Sequence, residues 1–148
     1  MTAKKCITNL KYYLDPLIDI PVYTFDRNSV KTLPCVVMGY DSEEGSILGV
    51  QGHYTVAGYA LVQYQGYEDP DNTFADDMAD LVIGALTNKT DLLSAMNKPA
   101  ASLSAVDTRP LSGFGLNGLI IRGCSRDEED HSTTVRINYV AYCAAKDF

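Results

Sequence analysis

Two hydrophobic periods alternate along the chain, and the switches between them outline its elements. Ile7, Leu10, Leu14 and Leu17 recur at three- and four-residue spacing, which places them on one stripe of a helix that Pro16 and Pro21 bring to an end. "IPVYTF" (20–25) alternates and is rich in strand formers, and "LPCVVMGY" (33–40) is a continuous apolar run that stops at the acidic, turn-like "DSEEG". Two strands are predicted there, joined by "DRNSVKT". The stretch 52–69 carries the longest alternation: Tyr54, Val56, Ala60, Val62 and Tyr64 fall on one face, and His53, Thr55, Tyr59, Leu61, Gln63 and Gln65 on the other. About 14 residues at about 3.3 Å each exceed about 40 Å, so this strand is expected to overhang a small domain, with Gly58 marking a bend.

The period then returns to helix. "DPDNTFADDMADLVIGALTN" (69–88) offers Asn72 or Thr73 as an N-cap, the acids Asp76, Asp77 and Asp80 near the positive end of the dipole, and an apolar face of Phe74, Met78, Leu81, Val82, Ala85 and Leu86. Thr90 or Asp91 is expected to cap a shorter piece, "LLSAMN", before Pro99. The segment 98–118 is mixed, with room for one irregular strand, and "LIIRGC" (119–124) and "TTVRINYVAYCA" (133–144) read as an antiparallel pair around "SRDEEDHS". The prediction is one α+β domain over 1–148, an antiparallel or mixed β-sheet packed against two α-helices in the order α-β-β-β-α-(β)-β-β.

Composition changes this picture little. At 148 residues, 46% hydrophobic and 21% charged, the chain is of ordinary globular make-up. It has no 18-residue apolar run, and its N-terminal stretch does not read as a signal peptide, so it is expected to fold where it is made. Charge is more telling. The net charge is −7, and residues 32–88 carry nine acids with no Lys or Arg. Such a surface repels a nucleic-acid backbone.

Candidate chemistry is sparse. Cys6, Cys35, Cys124 and Cys143 form no Cys-x-x-Cys pair and no cluster with His53 or His131, and read as reduced thiols without metal. "GFGLNG" (113–118) has the letters of a dinucleotide loop, but a strand follows where the loop needs a helix. Asp69, Asp71 and Asp80 sit at positions 1, 3 and 12 of a calcium loop whose sixth position is Phe74 instead of Gly, so helix capping explains them better. Neither histidine has a spaced carboxylate or serine partner, and no nucleophile elbow, P-loop or zinc-protease motif occurs. The expectation is a non-enzymatic protein with no catalytic, cofactor-binding or metal residues.

The order of a first helix over about Ile7 to Leu17, the strand "GHYTVAGYALVQYQGY" before the helix "TFADDMADLVIGAL", and a loop-tipped closing hairpin resembles the tail terminator proteins of long-tailed bacteriophages. The irregular segment 98–118 departs from that pattern. The resemblance implies a homo-oligomeric ring, usually a hexamer, in the neck of the virion, assembled in the host cytoplasm without any membrane. Its partners would be the tail tube protein, whose polymerisation it stops, and the head-completion or connector protein that docks on it, while DNA passes the channel without specific binding. No cofactor is implied. Tyr54, Tyr59, Tyr64 and Tyr67 along the long strand are candidate interface residues, since tyrosine is enriched at protein contacts. Asp127, Glu128, Glu129 and Asp130 either line the lumen, present charge to the next protein, or form a solvated hairpin tip. The rivals are another neck or tail-tube component and, from a different class, a small ligand-binding or metabolic domain.

Overall fold

The computed structural model describes residues 2–24, 32–45, 53–65, 73–97, 114–129 and 132–145. Within them lie α1 (Thr2–Leu14) with a following 3-10 turn (Asp15–Leu17), β1 (Val22–Thr24), β2 (Cys35–Gly45), β3 (His53–Gln65), α2 (Thr73–Thr87), α3 (Lys89–Met96), β4 (Phe114–Glu129) and β5 (Ser132–Ala145). The strands form one mixed sheet in the order β1-β2-β3-β5-β4, antiparallel except for the β1–β2 pair. The fold is α+β, as the alternating periods predict, and α3 is the shorter capped piece expected after the second of the two main helices. Of the segment expected to hold an irregular strand, 98–113 lies outside the described residues and 114–118 opens β4.

Packing follows from strand parity. On β3, Val56, Gly58, Ala60, Val62 and Tyr64 are buried, and on β5 Thr133, Val135, Ile137, Tyr139, Ala141 and Cys143 are buried, so one face of the sheet is sealed by the helices. The residues between them point to the other face and are mostly half-buried. Into the sealed face α1 sends Ala3, Ile7, Leu10 and Leu14, with Cys6 and Tyr13 on its flank. Its stripe ends at Leu14. Leu17, expected on the same stripe, belongs to the 3-10 turn that Pro16 enforces and is exposed.

In α2 the structure corrects the rotation. Ala75, Ala79, Val82 and Leu86 face the sheet, while Phe74 and Leu81 are 57% and 47% exposed. Alanines let a helix axis approach the strands closely, and the ion pair of Asp76 with Arg126 of β4 fixes the rotation from one side. Tyr13 ties the neighbouring helix in place, its hydroxyl donating to the Ala85 carbonyl at 2.8 Å. The N-cap of α3 is Asn88, two residues before Thr90 and three before Asp91, the predicted caps: its Oδ1 accepts from the Asp91 N–H at 3.4 Å and its Nδ2 donates to the Asp91 carboxylate at 2.7 Å.

Two strand readings are also revised. "DSEEG" is not a turn but the second half of β2, laddered onto β3 from Ser42↔Ala57 to Gly45↔Tyr54 past a bulge at Asp41. Nor does β3 overhang: β5 pairs with it along its whole length, from His53↔Ala144 to Gln65↔Ser132. Long neighbours supply the missing hydrogen bonds. Two glycines make the sheet's register specific. A Cβ on Gly58 would lie 2.4 Å from the Tyr139 ring, and one on Gly39 would lie 2.4 Å from the Tyr59 ring. Each tyrosine therefore lies flat over the glycine directly opposite it, Tyr139 on the helix side and Tyr59 on the uncovered side.

Candidate functional site

The described helices lie on one face of the sheet and leave the other uncovered, although Cys35 and Val37 of β2 are buried there; the polar centre of that second face is built around Arg136 of β5. Parity turns Arg136 to this face, where its guanidinium carbon stands 4.2 Å from the centroid of the Tyr59 ring. Its Nη2 donates to Asp41 at 2.6 Å and its Nε to the Asn138 side chain at 2.8 Å. The bulge at Asp41 turns that carboxylate toward the arginine. Burial raises the pKa of the Tyr59 hydroxyl, Asp41 pushes it the same way, and Arg136 opposes both. A cavity of about 420 Å³ opens beside the cluster, lined among others by Asp41, Glu44, Thr55, Arg122 and Asn138.

Toward the β4 edge the same face becomes apolar. Ile120 of β4 is 53% exposed and Tyr142 of β5 is 38% exposed. Both also line a second cleft, of about 300 Å³, whose other walls include Leu92 and Leu93 of α3. β4 is bulged twice, at Asn117 and at Arg122, and bulges twist an edge strand away from uncontrolled pairing. At Leu116 the edge is closed in another way. The Asn97 carboxamide donates to the Leu116 carbonyl at 2.7 Å and accepts from its N–H at 2.8 Å, standing in for a neighbouring strand.

The tyrosines expected to form one interface fall in separate settings. Tyr64 is buried in the core, and Tyr54 is half-buried against the same core. Tyr59 lies on the opposite, uncovered face, and Tyr67 lies outside the described residues. Parity separates Tyr59 from Tyr54 and Tyr64, so these three share no surface. The acidic run is part of a strand: Asp127 and Glu128 are exposed and stand opposite Thr134 and Thr133, and the ladder continues to Glu129, opposite Ser132. Asp130 lies outside the described residues. Arg126 partly offsets the run, contacting Glu128 at 3.3 Å as well as Asp76.

Titratable groups inside the domain are held neutral. Contact with Cys143 and then burial raise the Cys6 thiol well above its ordinary range, and burial does the same to the Tyr139 hydroxyl. Neither is poised as a nucleophile or base near neutral pH. Among the described residues no group of three or more His, Cys, Asp or Glu is arranged to hold a metal, and no helix is long and apolar enough to cross a membrane. The residues that sequence reasoning overlooks here are Arg136, Asn97, Ile120 and Tyr142. Arg136 alone carried a signal, as a lone cation in an alternating strand. No protein-family model matches the chain, and no curated protein matches it.

Proposed function

We propose that the protein is a ring-forming tail terminator of a long-tailed bacteriophage, which caps the tail tube, stops its polymerisation and offers the docking surface for the head. One observation carries this reading: among the described residues, the 16-residue edge strand β4 carries the exposed Ile120 beside the exposed Tyr142 of β5, an apolar surface next to the sheet edge. An isolated domain gains nothing from such a surface, whereas a ring subunit needs surfaces to bury. The element order that carries the resemblance supports it, and so does the acid-rich middle of the chain. Asp41 and Glu44 on the uncovered face would let DNA slide past without adhering.

Native mass across a concentration series, with electron microscopy of any large species, tests the reading. Closed rings of one size support it. Open filaments favour a tube protein, and a monomer at every concentration sets it aside. The cavity beside Arg136 is the place a small ligand would take in the ligand-binding reading, and reproducible thermal stabilisation by a metabolite would favour that alternative.

A further inference from the structure

Five large apolar side chains are exposed among the described residues, and four of them gather in two patches of opposite form. The first is a ridge. Phe74 and Leu81 lie one heptad apart on α2, with the half-buried Met78 between them and Asp77 at the rim, three residues after Phe74 and four before Leu81. The second is the cleft of about 300 Å³ at the β4 edge, where Leu92, Leu93, Ile120 and Tyr142 surround Gly118 and Lys89 stands at the wall. The ridge is apolar with an acid, and the cleft is apolar with a base.

The two patches also point in different directions. At about 100° per residue, Asp76 lies roughly 140–160° around α2 from Leu81 and Phe74. Asp76 is paired to Arg126 of β4, so its flank faces the β4 edge and the ridge faces away from it. A subunit with a ridge on one side and a matching cleft on the other can join head to tail, and such contacts close into a ring when the rotation allows. Lys89 strengthens the match. It sits in the first turn of α3, where the helix dipole disfavours a cation, and an incoming carboxylate would relieve that.

We infer that the ridge of α2 in one copy of this chain seats in the β4-edge cleft of a second copy, with Asp77 of the first meeting Lys89 of the other. The inference rests on the ring reading above and specifies its subunit contact. Leu81→Glu and Ile120→Glu test it, because both positions are exposed and each variant should keep the wild-type circular dichroism. Each alone should weaken self-association about a hundredfold, since a charge is forced into an apolar contact. Mixed together they should form a one-to-one heterodimer and nothing larger, because each retains one of the two complementary surfaces. Asp77→Lys and Lys89→Asp should each weaken assembly, and combining them in one chain should restore it.

Rings that persist in both Glu variants overturn the contact while leaving the ring reading intact. Open chains that dissolve in both variants support the contact while the terminator reading falls. A wild-type protein that stays monomeric overturns both, and a mixture of the two variants that forms no heterodimer overturns the head-to-tail geometry.

Discussion

Replacing Asn97 with Ala should open the sheet edge at Leu116. The asparagine side chain holds both main-chain groups of that residue, at 2.7 and 2.8 Å, and Leu116 is 1% exposed. Each hydrogen bond contributes about 0.5–1.5 kcal/mol net, and a buried group left unsatisfied costs about 1–3 kcal/mol. Water entering at the edge offsets part of that loss, so the expected destabilisation is about 2 kcal/mol. For a chain of this size it lowers Tm by roughly 4–8 °C. Urea unfolding should show a lower midpoint at an unchanged slope, because the exposed area on unfolding hardly changes. Hydrogen exchange provides the local readout: the Leu116 amide should exchange faster than in wild type, while the Ile137 amide in the central ladder changes only with global stability. A variant within about 0.5 kcal/mol of wild type, or one whose Leu116 amide exchanges no faster, would refute the view that a side chain closes this edge.

Three further expectations come from the packing. Gly58→Ala should cost about 1–3 kcal/mol by overpacking against Tyr139, and Tyr139→Leu in the same chain should recover part of it; additive losses in a double-mutant cycle would count against the contact. Tyr139→Phe should be neutral to mildly stabilising at pH 7, since the buried hydroxyl has no hydrogen-bond partner among the described residues. The Tyr139 pKa is raised well above its unfolded value by burial, so the stability tied to its neutral form is complete below about pH 10 and is lost as pH rises toward the folded pKa. The Phe variant should therefore lose stability less steeply in alkaline urea titrations, and identical slopes would contradict this. Leu86→Ala should cost about 2–5 kcal/mol, while Leu81→Ala at dilutions that keep the protein monomeric should cost under about 1 kcal/mol; equal losses would mean that α2 is rotated differently.

How far the sequence could be read depended on where each determining contact lies. β3 and β5 were legible because burial on one face writes an alternation into the strand itself. The existence of α2 was equally plain. Its rotation was not, because Phe74, Ala75, Met78, Ala79, Leu81, Val82, Ile83, Ala85 and Leu86 spread apolar character over more than half its circumference. Periodicity then marks a helix without choosing its side. "DSEEG" looks like a turn by composition and becomes a strand because β3, with partners from Tyr54 to Ala57, supplies its ladder. The Asn97 clamp joins residues 19 apart in sequence, a relation no local pattern expresses. The four tyrosines show a different failing. Their parity already divided them, and treating them as one surface put residue type ahead of direction.

The two glycine–tyrosine pairs constrain how this sequence can change over generations. Gly58 and Tyr59 are consecutive on β3, yet one receives a ring from β5 on the helix side and the other lends a ring to β2 on the uncovered side. A side chain at Gly39 or Gly58 is tolerated only if the opposing tyrosine changes as well, so the positions drift in pairs or not at all. Surface charges around them, such as Glu44 or Asp127, face no such condition. Divergent descendants of this chain should therefore keep the matched glycines and rings long after their acidic surface has been rewritten, and those couplets offer a way to recognise kinship where overall similarity has faded.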